Sequence, residues 1–165
     1  MSTKDTAKRM TLVMVSEPER ILLAMKKRGF GEGRWNGFGG KVHDGETIEE
    51  AAVREMEEEG GIVPISMVKA GLLTFAFQSQ PLKLEVHIFK VTSFSGAVTE
   101  TEEMRPQWFP WERVPYEQMW SDDRYWLPLL QDNQCFVGHF LFDAPATSEH
   151  EGKIVTHTLA IVDAL

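Results

Sequence analysis

One acidic segment carries the clearest chemical signal in the sequence, and it runs from residue 40 to residue 62 as GKVHDGETIEEAAVREMEEEGGI. Thr47 and Glu50 form a T-x-x-E capping box, which predicts a helix that begins near Ile48. The glycine pair at 60–61 is typical of the end of a helix. The segment therefore predicts a single helix that is dense in glutamate.

The positions of the glutamates around this helix decide what they can do. At about 100° per residue, one face holds Ile48, Ala52, Glu55, Met56 and Glu59. Glu55 and Glu59 thus lie one turn apart along an apolar stripe, and Glu58 lies on its flank. Carboxylates at that spacing repel one another, and burying them unpaired costs several kcal/mol or forces protonation. A hard divalent cation with oxygen ligands, above all Mg²⁺, would resolve this conflict.

The same segment follows a fixed pattern of glycine, glutamate, arginine and apolar positions, filled here by Gly40, Glu46, Arg54, Glu55, Met56, Glu58, Glu59, Gly61 and Ile62. It resembles the Nudix box with every fixed position filled. The alternative is an acidic surface helix in solvent, but such a helix needs neither the glycine ends nor an arginine at a fixed offset. The resemblance implies hydrolysis of a nucleoside diphosphate linked to another moiety, with Mg²⁺ or Mn²⁺ bound by the box.

Three segments outside the box extend the resemblance. They are KKRGFGEGRWNGFGGKV at 26–42, EEMRPQWF at 102–109 and QMWSDDRYWLPLL at 118–130. Together they resemble the oxidised-purine nucleoside triphosphate hydrolases, the animal MutT-homologue enzymes that act on 8-oxo-dGTP and 2-hydroxy-dATP. The similarity runs from about Thr11 to Phe142. It is strongest in loops, which carry function more often than cores do.

This resemblance implies a set of metal ligands, namely the Gly39 carbonyl, Glu55, Glu58, Glu59 and Glu103. The implied reaction is metal-assisted attack of water on a phosphorus atom of the triphosphate, without a covalent intermediate. A glutamate of this group would accept the proton, with Glu58 as the first candidate and Glu103 as the second. Arg54 is predicted to orient Glu58 or Glu59 through an ion pair.

The resemblance also implies a substrate pocket, formed by Thr11, Lys26, Phe30, Asn36, Phe38, Gly39, Gly40, Lys41, Phe75, Trp120, Ser121, Asp122 and Asp123. A neutral purine needs aromatic walls and a few hydrogen-bonding groups at fixed positions. Phe30, Phe75 and Trp120 would supply the walls. The Asn36 amide has both donors and an acceptor, which suits a purine edge.

Asp122 and Asp123 are the most specific feature of this predicted pocket. Neighbouring carboxylates raise each other's pKa, and a protonated aspartate donates a hydrogen bond whereas an ionised one only accepts. A proton shared between the two would let one pocket read both an oxidised guanine and an oxidised adenine. The alternative is that the pair only caps the helix predicted at 123–131, although capping needs one aspartate at most.

Composition restricts the remaining possibilities. A chain of 165 residues with 42% apolar residues predicts one domain, expected at 10–165 after a disordered polar tail at 1–9. The net charge of −8 argues against a nucleic acid polymer as partner, and bound metal ions would reconcile it with a triphosphate substrate. The single Cys135 fits a reducing compartment, and no segment is apolar enough to span a bilayer. We expect a cytoplasmic monomer, with nuclear or mitochondrial fractions as further locations.

The hydrophobic patterning predicts an α+β fold, an α/β/α sandwich with a mixed sheet. Strands are expected at 11–16, 20–26, 66–78, 82–92, 107–110, 136–142 and 154–162. The glycine-rich stretch 28–41 is expected to be loop, Pro81 to lie in a turn, and 114–119 to form a helical turn.

Two other functions remain open from the sequence. One is a different Nudix hydrolase, acting on dinucleoside polyphosphates, ADP-ribose or alkylated purine triphosphates. The other is a Nudix-fold binding module without catalytic activity, although such modules usually lose box glutamates and this chain keeps them all.

Overall fold

A mixed β-sheet between two helices organises the chain in the computed structural model, which describes residues 7–147 and 150–165. Within those residues the elements are β1 (Lys8–Ser16), β2 (Arg20–Lys26), β3 (Trp35–Asn36), β4 (Phe38–Lys41), α1 (Ile48–Gly60), β5 (Val63–Phe77), β6 (Gln80–Ser95), β7 (Met104–Pro110), α2 (Asp123–Gln131), β8 (Cys135–Phe142) and β9 (Ile154–Val162). Two short 3₁₀ turns, Trp111–Arg113 and Tyr116–Gln118, connect β7 to α2. None of the helices described is long and apolar enough to cross a bilayer.

β1 pairs with three other strands, namely β2, β4 and β6. The strand order is β3-β2-β1-β6-β5-β8-β9, with β4 also paired to β1 and β7 to β2. β1 runs antiparallel to β2 and β4 but parallel to β6, in a register from Lys8 opposite Leu84 to Val15 opposite Val91. The predicted mixed sheet is therefore confirmed.

Each face of the sheet has its own hydrophobic core, because successive residues of a strand point to opposite faces. Val13 and Val15 of β1 belong to the core that includes Met56 of α1. Met14 belongs to the other core, with Trp126 of α2. This arrangement confirms the predicted α/β/α sandwich.

The capping box of α1 forms as predicted. The Glu50 amide donates to Thr47 Oγ1 and the Thr47 amide donates to Glu50 Oε1, both at 3.1 Å. Gly61 ends the helix at a φ of 72°, in the left-handed region that glycine tolerates, and its amide donates to the Glu57 carbonyl at 2.9 Å. These local interactions hold the glutamate-bearing helix at a defined start and end.

The N-terminal prediction needs a correction. Of the tail predicted to be disordered, residues 1–6 lie outside the described part of the chain. Lys8 and Arg9, by contrast, already belong to β1, since they pair with Leu84 and Glu85 of β6. The strand is thus three residues longer at its start than its apolar pattern indicated.

Two further expectations about loops were wrong. The stretch 28–41 contains β3 and β4, because its backbone pairs with β2 and β1 despite the many glycines. A Cβ atom on Gly39 would lie 2.0 Å from the Thr11 carbonyl oxygen, so the approach of β4 to β1 requires glycine there. Pro81 is the second residue of β6, ahead of the point where pairing with β1 begins at Leu84, so its missing N–H removes no bond to β1.

Candidate active site

A cavity of about 840 Å³ opens beside the β1–β4 pair and extends to the segment before α2. Its lining includes fourteen of the residues predicted from the sequence: Thr11, Lys26, Phe30, Asn36, Gly39, Gly40, Lys41, Phe75, Glu59, Glu103, Trp120, Ser121, Asp122 and Asp123. The residues come from distant parts of the chain. The fold therefore assembles most of the predicted site in one place.

Four predicted site residues do not line the cavity. Phe38 is fully buried in the core beside α1, so its side chain is absent from the cavity wall where it was predicted. The reason is the alternation along β4, which turns Phe38 toward α1. Arg54, Glu55 and Glu58 lie outside the lining as well, and the side chain of Glu58 is 60% exposed.

Glu59 is the carboxylate of α1 that reaches the cavity. Its residue is only 4% exposed, and its Oε1 accepts a hydrogen bond from the Gly39 amide at 2.8 Å. The Lys26 ammonium lies 3.9 Å from Glu59 Oε2 and 3.6 Å from Glu103 Oε2. Two carboxylates that are far apart in sequence thus lie close to one lysine at the cavity wall.

Burial raises the pKa of the Glu59 carboxyl to about 7. The hydrogen bond from Gly39 opposes this shift, while the negative charge of Glu55 adds to it. Lys26 lowers the pKa and Glu103 raises it. Burial thus disfavours the ionised form of Glu59, even with a lysine nearby.

Arg54 organises the carboxylates on the outer side of α1. Its guanidinium binds Glu46 through two bonds of 2.7 and 3.0 Å, and it donates to Glu55 Oε1 at 2.8 Å. It also reaches Glu58 at 3.3 Å and the Lys41 carbonyl at 3.0 Å. The predicted orienting role is thus present for Glu58, whereas Glu59 is not a partner and Glu55 and Glu46 are the closer ones.

The Arg54–Glu46 pair is a bidentate arginine–carboxylate interaction, which is geometrically specific. The hydrogen bonds from Arg54 lower the pKa of the Glu46 carboxyl to about 2, and that pair raises the pKa of Arg54. A lysine cannot reproduce the two parallel bonds. The pair therefore ties the loop before α1 to the helix that carries the site.

We expect Arg54→Lys to lower kcat by about tenfold or more, because losing an orienting partner of a ligand typically costs that much. KM should change little, since Arg54 does not line the cavity. Steady-state kinetics at saturating Mg²⁺ measures both constants. The matched control is Arg20→Lys, which alters an exposed arginine–glutamate pair with Glu17. If kcat for both variants equals that of the wild type, Arg54 has no role in the site.

The donor set at this end of the cavity fits a hard divalent cation. Glu55, Glu59, Glu103 and the Gly39 carbonyl offer oxygen atoms only, and the ionised form of the buried Glu59, whose pKa is raised mainly by burial, would gain from a nearby cation. In residues 7–147 and 150–165, no three His, Cys, Asp or Glu side chains are grouped as a finished metal site. Lys26 and Arg54 instead hold these carboxylates, so cation binding would require their side chains to regroup.

An aromatic wall lies at the other end of the cavity. The rings of Phe30 and Trp120 are 5.1 Å apart between centroids at 31°. The Arg34 guanidinium lies 4.8 Å from the Trp120 ring centroid and donates to the Met119 carbonyl at 3.3 Å. Arg34 lines the cavity but was missed in the sequence, where it is one of many polar residues in a glycine-rich stretch. It fixes the tryptophan that was predicted to contact the base.

Asp122 and Asp123 lie at this same end, and both are buried, at 5% and 2% exposure. Asp122 Oδ2 accepts from the Trp126 indole at 2.8 Å, and its side chain makes no capping bond to α2. Asp123 Oδ2 has no hydrogen-bond partner among the described residues. The interpretation of the pair as a mere helix cap is therefore wrong.

Burial raises the pKa of both aspartates. For Asp122 the hydrogen bond from Trp126 opposes the shift. For Asp123 the charge of Asp122 and a hydrogen bond with it raise the pKa further, and Arg34 lowers it. Because ionising both would place two negative charges side by side in a buried site, the pair favours a state that holds one proton.

Two polar side chains complete this end of the cavity. Asn36 Oδ1 accepts from the Gly37 amide at 2.8 Å, which orients the Asn36 amide and leaves its NH₂ group to donate. Thr11 Oγ1 is buried without a hydrogen-bond partner among the described residues. Hydrogen-bond donors and acceptors thus lie together beside an aromatic wall. A purine edge is recognised by this combination of groups.

Several apolar walls of the cavity were not predicted. They come from the facing ends of β5, β6 and β8 and from the segment after β8, as Phe77, Leu82, Leu84, Val86, Phe142, Pro145 and Ala146. In the sequence these residues follow the ordinary alternation of strands. No local signal separates them from core residues, so only the sheet order reveals them.

Comparison with known proteins identifies the family of this chain. The NUDIX domain matches residues 6–130 of the chain. The chain belongs to the Nudix family. Its Nudix relatives include the oxidized purine nucleoside triphosphate hydrolases of Mus musculus and Danio rerio, each 47% identical over 160 residues, covering 97% of this chain and 99% of the relative. The crystal structure of the mMutator MutT protein from Bacillus halodurans shares the Nudix fold, with a TM-score of 0.78 and 22% identity, over 92% of this chain and 97% of that one.

Proposed function

We propose that this Nudix hydrolase converts oxidised purine nucleoside triphosphates, such as 8-oxo-dGTP and 2-hydroxy-dATP, to the monophosphate and pyrophosphate. The observation that carries the proposal is one cavity with acidic residues of the Nudix type at one end and a buried aspartate pair beside an aromatic wall at the other. The names of the mouse and zebrafish relatives support the same substrate class. The reaction would remove damaged precursors from the nucleotide pool.

The acidic end would hold Mg²⁺, or Mn²⁺ as a substitute, through Glu55, Glu59, Glu103 and the Gly39 carbonyl, with Glu58 as a further ligand once it turns inward. The cation supplies charge neutralisation on the phosphate oxygens and a more acidic water molecule. A glutamate of this set accepts the proton of the attacking water, with Glu58 and Glu103 as the candidates.

The chain's own cations would position the triphosphate. Five basic residues line the cavity of a protein whose net charge is −8, namely Lys8, Lys26, Arg28, Arg34 and Lys41. Lys26 lies near the Glu59 and Glu103 carboxylates at the cavity wall, where its ammonium would donate to a phosphate oxygen. Fixing the phosphates in this way orients the reacting phosphorus atom toward the carboxylates.

The base would stack against the wall of Phe30 and Trp120 and present its edge to Asn36 and the aspartate pair. An unmodified guanine lacks the additional oxygen and proton of 8-oxoguanine, so it leaves some buried polar groups unpaired. The Asp122–Asp123 proton then decides whether a given position donates or accepts. This accounts for recognition of two different oxidised bases by one pocket.

We expect kcat/KM for 8-oxo-dGTP to exceed that for dGTP by at least about tenfold, equivalent to roughly 1.4 kcal/mol of transition-state stabilisation. Steady-state pyrophosphate release with Mg²⁺ measures both constants. The same assay with ADP-ribose and a dinucleoside polyphosphate tests the other Nudix activities. Equal kcat/KM for 8-oxo-dGTP and dGTP would mean that the pocket residues do not distinguish the oxidised base from the unmodified one. No metal-dependent turnover on any of these compounds would favour a binding module.

The setting we propose is a monomer acting on free nucleotides in the cytoplasm, with nuclear or mitochondrial fractions as further locations. The acidic net charge supports free nucleotides over a nucleic acid polymer as the partner.

A further inference from the structure

The segment after β8 forms one wall of the cavity next to the aspartate pair. Pro145, Ala146 and Glu151 of this segment line the cavity. Ser121, the residue before the pair, donates from its hydroxyl to the Gly152 carbonyl at 3.4 Å. Gly152 is buried and has a φ of 71°, which suits glycine. The wall and the aspartate pair are thus physically joined.

A single carboxylate, Asp143, holds this segment together. Its Oδ1 accepts from the Ala144 amide at 2.7 Å, from the Lys153 amide at 2.8 Å and contacts His150 Nε2 at 3.1 Å. These donors come from both ends of the segment, so one oxygen closes it into a loop. Three hydrogen bonds to the charged form lower the pKa of Asp143, which keeps it ionised at neutral pH.

The backbone of Asp143 ties the same loop to the sheet. Its amide donates to the Lys153 carbonyl at 2.9 Å, and its carbonyl accepts from the Ser79 amide at 3.1 Å in the β5–β6 turn. The preceding residue, Phe142, packs against Phe77 and Phe75, with centroids 5.8 and 5.9 Å apart. Asp143 therefore lies where the aromatic floor of the cavity meets its loop wall.

We propose that Asp143 is a positioning residue for substrate selectivity, which holds the wall formed by residues 144–147 and 150–153 against the base end of the cavity. It contacts no ligand itself. Through Gly152 and Ser121, the wall supports the segment that carries the aspartate pair. A more mobile wall widens the base end of the cavity. The pocket then contacts less closely the groups that distinguish an oxidised purine from an unmodified one. The phosphate end, about Glu59 and Lys26, is not connected to Asp143 by any of these bonds.

The test compares Asp143→Ala with Asp143→Asn. The alanine variant removes all three contacts of Oδ1, whereas asparagine keeps an acceptor oxygen in the same place. In Asp143→Ala, the ratio of kcat/KM for 8-oxo-dGTP to that for dGTP should fall by at least about fivefold, through a higher KM for the oxidised substrate. Asp143→Asn should restore the ratio to within about twofold of the wild type. Asp163→Ala, at an exposed position near the C-terminus, is the control and should leave the ratio unchanged.

Hydrogen exchange supplies a readout that does not depend on activity. The amides of Ala144 and Lys153 should exchange faster in Asp143→Ala and regain protection in Asp143→Asn. An unchanged substrate ratio despite faster exchange would overturn the proposal, and so would unchanged exchange. A general loss of folded protein would lower kcat for both substrates equally and would also contradict it.

The choice of substrates rests on the proposed function, and the two can fail separately. A wild type that does not prefer 8-oxo-dGTP contradicts the proposed function. The role of Asp143 is then decided by hydrogen exchange together with KM for whichever triphosphate the wild type hydrolyses. An unaltered KM in Asp143→Ala would contradict the positioning role of Asp143.

Discussion

Glu59→Gln is expected to lower kcat by at least about a hundredfold, because removing one charged group that stabilises a transition state typically has an effect of this size. The fold should survive, since glutamine keeps an oxygen that accepts from the Gly39 amide. Burial raises the pKa of Glu59, so its ionised form destabilises the folded state and the neutral amide should keep or raise the free energy of unfolding. Steady-state kinetics at saturating Mg²⁺ and urea denaturation measure the two quantities.

Glu57→Gln is the matched control on the same helix, because Glu57 is exposed and does not line the cavity. Its kcat should equal that of the wild type. Near-normal turnover of Glu59→Gln would remove Glu59 from the metal-binding group. Glu58→Gln and Glu103→Gln, measured alongside, separate the candidates for the base, since loss of the true base should remove its ionisation from the pH dependence of kcat.

Asp122→Asn and Asp123→Asn should each change the preference between 8-oxo-dGTP and 2-hydroxy-dATP, by about tenfold or more for the more affected substrate. Each substitution makes one partner permanently uncharged, so it cannot pass between ionised acceptor and protonated donor. In the wild type the preference should drift with pH. As pH rises through the raised pKa of the pair, the proton is lost and the two aspartates can then only accept hydrogen bonds.

The measurement is kcat/KM for both triphosphates, in the wild type and both variants, over about pH 5.5–8.5 with saturating metal. Unfolding free energies serve as the control. Because the pKa of the pair is raised, ionisation of the folded protein destabilises it, and stability falls as pH rises above the ordinary carboxyl range. The asparagine variants should therefore be at least as stable as the wild type at pH 7. A substrate ratio that stays constant in all three proteins would disprove the proton-sharing mechanism.

Where the sequence carried local signals, prediction and structure agree closely. The capping box and glycine pair placed α1, and the turn signals around Pro18 placed β2 at Arg20–Lys26. α2 and β9 also occupy their predicted ranges. In each of these elements a cap, a turn or an apolar period acts over a few neighbouring residues, so the signal does not depend on the rest of the fold.

The predictions that were wrong concern features without such a local signal. They depend on contacts between strands that are distant in sequence. β4 looks like loop because glycine disfavours strands, yet Gly39 is needed for its backbone to approach Thr11 of β1. Phe38 was predicted to line the pocket, but the alternation of side chains along β4 places it in the core. The wall at Pro145 and Ala146 likewise depends on how β8 and β9 meet beside β5. The acidic and aspartate residues were recognisable because their chemistry is costly to bury, whereas apolar walls carry no such mark.

The place of β1 in the sheet has a consequence for synthesis of the protein. β1 leaves the ribosome before its antiparallel neighbours β2 and β4, which follow soon afterwards. Its parallel partner, however, lies at Leu84–Val91 of β6. At about 5–20 residues per second, the nascent chain spends several seconds with the β6-facing edge of β1 unpaired, although α1, which packs in the same core as Val13 and Val15, has already been made. During that interval the free edge of a strand that lines the cavity is open to pairing with another polypeptide.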